Sequence, residues 1–430
     1  MILVPRGRAM RALLALPLLS LPATVRASGF ALDTQDARAM GFADAYVAQK
    51  DDPSALASNA AAIAFLKYKH VSIGGHYATA STDSTGLGPY PPVRRLENSD
   101  QGLGALPAIY YAQPVGEVFA FGLGFDSPFG MKNSWTDPAT STGRFVCMTC
   151  EISSWRVKPS VALKLADRLS VGGGIDLLFS GANITRRMVA PSPAPAMTDV
   201  VEASVVADTT AAVGWNIGAM ASPTESLTIG LAYRNKVVVT HTSVATFTQI
   251  PTGDKTIDDA VAKALPAQQA AEIAFTYPGS IQGGVAWKGD RWAVEGDITR
   301  TLWSSLTQVQ ITHNDSTLDY ILPMNFASTW KAAVGVEYQL VPDAWAVRGG
   351  YSFETSPQPD STLSPYYTDS SRNSLSVGGS HTRDNFRVDA AVRLIFRGSR
   401  TTDGANLYGY EATYSPATSF AAGLSIAYRF

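Results

Sequence analysis

The chain holds 430 residues, with 34 Lys and Arg against 36 Asp and Glu, so its formal net charge is −2. That balance excludes an electrostatic attraction to nucleic acid or to a strongly acidic partner. Charged residues make up 16% of the chain, against roughly 25% in soluble domains, and hydrophobic residues make up 46%, which excludes a disordered chain.

The first 27 residues read as a secretory signal peptide. Arg6, Arg8 and Arg11 form a basic start, Ala12–Ala23 is apolar, and Val25-Arg26-Ala27 places small residues for cleavage after Ala27. The apolar stretch is too short to cross a hydrocarbon core of about 30 Å. The remainder contains no apolar run long enough for a membrane-spanning helix, so a helical bundle is excluded. Residues 28–66 are rich in Ala and lack alternation, which predicts short helical turns, one of them opened by Asp52 as N-cap before Pro53. Phe30, Leu32, Phe42, Tyr46, Leu56, Ile63 and Phe65 ask for burial. A segment of this size ahead of the first strand is predicted to fold into a lumen as a plug.

From residue 67 onward the pattern has period two. Trp155, Val157, Val161, Leu163 and Leu165 share one parity, and Arg156, Lys158, Ser160 and Lys164 share the other. The same split separates Trp330, Val334, Val336 and Tyr338 from Lys331, Gly335 and Glu337. It also separates Phe386, Val388, Val392 and Leu394 from Arg387, Asp389 and Arg393. Alternation over ten or more residues is twice the usual strand length of about five to six and matches a tilted strand crossing a bilayer. A Lys or Arg facing lipid costs roughly 2–4 kcal/mol at the midplane, so the charged parity must point inward. About fourteen such strands are legible, separated alternately by short turns and long polar loops, which puts both chain ends on the periplasmic side. The expected fold is an all-β membrane protein, a transmembrane β-barrel over 67–430 with a partly helical plug over 28–66.

Within the long loops, Cys147 and Cys150 lie in the run FVCMTCE without further Cys or His ligands nearby. Zinc is therefore not expected; a local disulfide or two idle thiols remain. The loop 242–272 places Ile257, Val261 and Leu265 at helical spacing, consistent with a loop helix. Inward Arg156, Lys158, Arg234, Lys331 and Arg348 offer two readings. Each neutralises a ligand head group, or each pairs with inward Glu295, Asp297, Glu337 or Asp389.

In this order, several stretches resemble the FadL/TodX family of outer-membrane transporters for long-chain fatty acids and aromatic hydrocarbons. They are SGF (28–30), DDPSALASNAAAIAFL (51–66), DSPFGMKNSW (126–135), WRVKPSVALKLADRLSVGGGID (155–176), PGSIQGGVAWKGDRWAVEGDITRTLWSSL (278–306) and WKAAVGVEYQLVPDAWAVRGGYSFETSPQPD (330–360). One departure is that the family's Asn-Pro-Ala reads Asn59-Ala60-Ala61, which bears on how the plug meets the wall. The resemblance implies passive uptake of hydrophobic compounds, with Gly29, Phe30, Phe42 and Asn59 in the plug. It implies a capture groove at the loop holding Ile257, Val261 and Leu265. It also implies a lateral opening where strand three kinks, for which Gly122, Gly124 and Pro128 are candidates because Gly marks bulges and Pro cannot donate to the ladder. Ordinary close packing is the other reading of those glycines.

The partners so implied are hydrophobic small molecules, outer-membrane lipid and lipopolysaccharide, and the barrel-assembly machinery that reads a terminal aromatic such as Phe430. No cofactor is expected. The five histidines are scattered and form no Ser–His–acid signature, so an enzyme is not expected. The competing transport or surface functions are a general diffusion porin and an adhesin.

Overall fold

The computed structural model describes residues 29–189, 197–402, 404 and 406–430. The predicted signal peptide, residues 1–27, lies outside them. Among the described residues, fourteen antiparallel strands close into a ring. In chain order they are β1 (His70–Gly86), β2 (Gly104–Val115), β3 (Phe119–Asp126, resuming as Gly130–Trp135), β4 (Thr149–Ala166), β5 (Leu169–Val189), β6 (Asp199–Ala221) and β7 (Leu227–Arg234, resuming as Val237–Gln249). They continue as β8 (Gln268–Tyr277, resuming as Ser280–Lys288), β9 (Trp292–Thr301, resuming as Gln308–His313), β10 (Thr329–Val341), β11 (Trp345–Glu354), β12 (Arg372–Arg383), β13 (Phe386–Arg397) and β14 (Ala412–Arg429). Closure joins β1 to β14, from His70 opposite Arg429 to Gly86 opposite Ala412. Joining β1 to β14 leaves no terminal strand with a free edge, as a strand fold in lipid requires.

The alternation read from sequence matches the direction of the side chains. Trp155, Val161 and Leu165 on β4 are exposed, while Arg156, Lys158 and Ser160 between them are buried in the lumen. On β13 Phe386, Val388, Val392 and Leu394 face out, and Asp389, Ala391 and Arg393 face in. Exposed Trp287, Trp292, Trp330, Trp345, Phe386 and Phe430 stand at strand ends, the positions of an interfacial aromatic girdle.

The N-terminal segment fills the lumen as a plug. It is built from α1 (Ala37–Gly41) and two 3-10 turns, Pro53–Ala57 and Ala60–Phe65. Each begins on a side chain that accepts backbone N–H groups the turn leaves orphaned. Asp36 caps α1, Asp52 caps the first 3-10 turn as predicted, and Asn59 caps the second.

Candidate functional site

The plug is held by inward groups from strands around the ring. On β9, Asp297 accepts the backbone N–H groups of Tyr46 and Val47 at 2.5 and 2.9 Å, and Glu295 accepts that of Ala48 at 2.6 Å. On the opposite side of the ring, Ser425 of β14 accepts the Ala37 N–H at 3.2 Å, and Ser72 of β1 donates to Asp36 at 3.0 Å. Phe42 lies against the backbone of β10 and β11. A Cβ on Gly335 would sit 2.7 Å from the Phe42 carbonyl oxygen, and one on Gly350 would sit 2.6 Å from its carbonyl carbon. Glycine at both positions is therefore what lets the plug touch the wall.

Asn59 is the anchor at the second 3-10 turn. Its Nδ2 donates to the Val47 and Ala219 carbonyls at 3.1 and 3.2 Å, and its Oδ1 accepts the Ala61 N–H at 3.0 Å. Ala60 takes the first helical position, where a proline is tolerated but not required. The wall contact rests on Asn59, so the missing proline removes none of these bonds. Asn59→Ala is expected to destabilise the docked plug by about 1–3 kcal/mol, since it leaves buried carbonyls unsatisfied. Faster protease cleavage within 29–66 in the folded barrel would register that loss; an unchanged rate would contradict it.

All five inward cations singled out from the sequence have partners. Arg156 pairs with Asp126 at 2.6 Å and lies 3.7 Å from Asp176. Lys158 donates to the Leu56 carbonyl at 2.6 Å. Arg234 donates to the Ala57 carbonyl at 2.9 Å and lies 3.3 Å from Asp176. Lys331 holds Asp33 at 2.5 Å and Asp44 at 3.3 Å of the plug, and Arg348 bridges Glu337 and Asp389 at 2.6 and 2.8 Å. Asp126, Asp176, the plug carboxylates and the plug carbonyls were not among the partners expected. Of those expected, Glu337 and Asp389 pair with Arg348, while Glu295 and Asp297 hold plug backbone N–H groups instead. The alternation located the cations, but which groups meet them depends on barrel closure.

Plug carboxylates respond to the same cations. Burial resists ionisation of Asp33, yet Lys331, Arg393 and Arg372 outweigh it and hold the carboxyl well below its usual range. Asp51 is likewise lowered against burial by Arg38 and Lys288, and Asp52 by Arg387 and Arg38. Asp36 moves the other way, to about 6, because burial and then Asp52 and Asp389 disfavour its charge. A depressed carboxyl stabilises docking above its unfolded value, and that contribution is lost as pH falls through the folded one. Asp36 contributes the reverse, with its stabilisation lost as pH rises through about 6. Asp44 is raised as well, by burial and by Asp33 against Arg393 and Lys331, so three lowered groups face two raised ones, and the strong lowering of Asp33 and Asp51 decides the balance. Docking should therefore weaken as pH falls below the ordinary carboxyl value of 3.8, and pepsin should cut the N-terminal segment increasingly over that range. Equal resistance throughout would contradict this balance.

Above the plug the lumen is apolar. Phe30 inserts into an aromatic cage, with ring centroids 4.6 Å from Trp303, 6.1 Å from Phe275 and 6.5 Å from both Phe129 and Phe326. The cage continues into a cluster with Ile152, Ile184, Val205, Val309, Ile311 and Leu322. Gly29, at φ +65°, donates its N–H to Asp369 at 3.0 Å. Trp303 and Phe326 sit in a strand interruption and a loop, so no period marked them as lumen residues.

The wall is interrupted at Ser127-Pro128-Phe129, between the two halves of β3. The pairing of β2 with β3 ends at Ile109 opposite Phe125, leaving Gly104–Ala108 without a partner on that side. An opening of about 460 Å³ lies there, bordered by Leu103, Pro107, Phe125, Ser127, Phe129 and Trp155. The plug covers it from within. Leu32 N–H donates to the Pro128 carbonyl at 2.9 Å, Gly130 N–H donates to the Phe30 carbonyl at 3.0 Å, and Gln35 bonds both the N–H and the carbonyl of Ser127. Pro128 is thus in the break, but Gly122 and Gly124 are not. Gly122 pairs with Ala112 and Ser160, and Gly124 with Tyr110 and Lys158, in unbroken ladders. A Cβ on Gly122 would meet Ile63 at 2.9 Å and Leu56 at 3.0 Å, so this glycine makes room for the plug.

At the outer end, the expected loop helix is present as α2 (Lys255–Ala264), capped by Asp254. Val261 is buried against Val200 and Val201, and Ile257 and Leu265 pack beside it. Its apolar face therefore covers the extended ends of neighbouring strands. Cys147 and Cys150 are joined as a disulfide, with Cα atoms 6.0 Å apart, which ties the loop after β3 to the start of β4.

The sequence model for the outer membrane protein transport protein family (OMPP1/FadL/TodX) matches residues 18–430. Outer membrane protein P1 of Haemophilus influenzae is 24% identical over 383 residues, covering 80% of each chain. A Pseudomonas aeruginosa FadL homologue superposes with a TM-score of 0.83 at 22% identity, covering 94% of this chain and 100% of that one. The P. putida toluene transporter TodX superposes with a TM-score of 0.68 at 18% identity, covering 94% and 99%.

Proposed function

The chain belongs to the outer membrane transport protein family OMPP1/FadL/TodX, resides in the bacterial outer membrane and carries hydrophobic compounds; from that premise we propose the route its cargo takes. A solute leaves water at the outer mouth, enters the apolar chamber around Phe30, and departs sideways through the opening between β2 and β3. The single observation that carries this reading is the position of residues 30–35. They fill the aromatic cage and cover the break in β3 at the same time. Displacing them frees both the chamber and the exit.

The driving force is burial. Each CH₂ moved from water into an apolar lining gains about 0.8 kcal/mol, so a chain or ring partitions readily into a cavity faced by Phe, Trp, Ile and Leu. A sideways exit then delivers it to hydrocarbon without passing the ionic network below. Fatty acids and the hydrocarbons carried by the aromatic transporters both satisfy that lining.

Uptake tests the proposal. Cells lacking their own transporters of this class, but expressing this chain, should accumulate a labelled hydrophobic solute faster than vector controls. A polar solute of similar size should enter at the control rate. Equal acceleration of both would point instead to an open porin.

A further inference from the structure

The wall is interrupted a second time, between β6 and β7. Their backbones pair from Val201 opposite Gln249 to Ala207 opposite Ser243, and again from Asn216 opposite Arg234 to Ala221 opposite Ile229. Equal lengths of chain, 208–215 and 235–242, lie between those ladders, and among the described residues no ladder pair joins them. The two strands therefore hold one register across a seam in which they stand apart. Each stays paired on its other side, Thr210 and Val213 with Ser180 and Leu177 of β5, and Val239 and His241 with Phe275 and Ile273 of β8.

Side chains stand in for the ladder at the two ends of the seam. Asn235 accepts the Trp215 N–H on its Oδ1 at 2.6 Å and gives its own N–H to the Trp215 carbonyl at 3.1 Å. At the other end, buried His241 donates from Nδ1 to the Asp208 carbonyl at 3.3 Å. Its Nε2 lies 3.4 Å from Ser180 Oγ, which also bonds the Tyr277 hydroxyl. The height of the seam follows from the pairing. Phe125, just before the break in β3, stands opposite Val157, Val157 opposite Leu177, and Leu177 opposite Val213. Both interruptions thus lie at one level of the wall.

Resting on the transport reading above, we propose that the seam between β6 and β7 is a second lateral exit, by which a hydrophobic solute leaves the chamber for the lipid, with Asn235 and His241 as its posts. Its two faces fit that role. On the inside, Val237 and Val239 of β7 belong to the cluster around Phe30, and Ala212 of β6 packs against it. On the outside, Val213, Trp215 and Val238 are exposed. Backbone left unpaired at membrane depth is costly, and it persists only where protein buries it or where it lines a passage. Residues 30–35 cover the break in β3, whereas among the described residues no plug group hydrogen-bonds to 208–215 or 235–242. Phe30 fills the chamber behind both exits, so one plug movement serves both.

Blocking each exit in turn tests this, in cells that lack their own transporters of this class and express the full chain. Cys147 and Cys150 are bonded to each other, so pyrene maleimide, which enters lipid, reacts with an added cysteine alone. Ser153 borders the opening between β2 and β3, and Ala211 is exposed on the β6 edge of the seam. Uptake of a radioactive hydrophobic solute is read against the same label on Val377→Cys, exposed on β12. Labelled Ser153→Cys should lose part of its uptake, and labelled Ser153→Cys/Ala211→Cys should fall to the vector-control rate. Labelled Ser153→Cys already at that rate, or a double variant no slower than the single, would overturn the second exit and leave the first standing. Should Ala211→Cys fail to fold, Thr209→Cys takes its place on the same edge. A wild type no faster than the vector control sinks the transport reading itself.

Discussion

Oxidised Ala31→Cys/Phe129→Cys protein is expected to take up hydrophobic solute at no more than the vector-control rate, and a reductant should restore uptake. Ala31 and Phe129 are bridge partners. The flanking bonds, Leu32 N–H to Pro128 and Gly130 N–H to Phe30, make them a non-hydrogen-bonded pair. In such a pair the Cα atoms stand about 4.5 Å apart, within the roughly 4.4–6.8 Å span of a disulfide. A bond there locks the plug over the break in β3 and keeps Phe30 in its cage. The reduced double variant is the control for loss of the Phe129 ring. Undiminished uptake by the oxidised form would mean that residues 30–35 need not move for transport.

The second large effect concerns stability. Arg348→Met removes a guanidinium that is buried between Glu337 and Asp389 and keeps most of its apolar stem. Breaking a buried pair from one side costs roughly 3–5 kcal/mol because a charge is left uncompensated. Here Asp389 keeps Arg387 at 2.7 Å and Glu337 keeps Arg38 at 3.5 Å. The expected loss is therefore near the lower end, about 3 kcal/mol. Denaturant unfolding of the barrel in lipid vesicles measures it. Adding Asp389→Asn should recover part of the loss, since it removes one of the two stranded charges. An unchanged unfolding midpoint in the single variant would show that the lumen network is not what holds these strands together.

Much of the architecture was legible because lipid imposes a rule the sequence must obey at every other position. Trp155, Val161 and Leu165 outward, with Arg156 and Lys158 inward, already set strand direction, face and approximate length. Asp52 before Pro53 similarly announced its 3-10 turn, since capping is local. The site was less legible because its parts meet only after the ring closes. Phe30, Phe129, Phe275, Trp303 and Phe326 are far apart in sequence and come from the plug, a strand break, β8, an interruption of β9 and a loop. Gly122 and Gly124 suggested a kink, yet they lie in paired strand, where Gly122 makes room for Leu56 and Ile63. Only Pro128, which cannot donate to a ladder, lay at the break itself.

Single-channel conductance of the purified full chain in a planar bilayer tests the plugged, apolar route most directly. At neutral pH the wild type should pass almost no ion current, and Gly335→Val/Gly350→Val, which pushes side chains into Phe42, should raise it to large, sustained steps. Porin-sized current through the wild type, or a double variant as silent as the wild type with its plug accessible to protease, would contradict a lumen closed by residues 29–66.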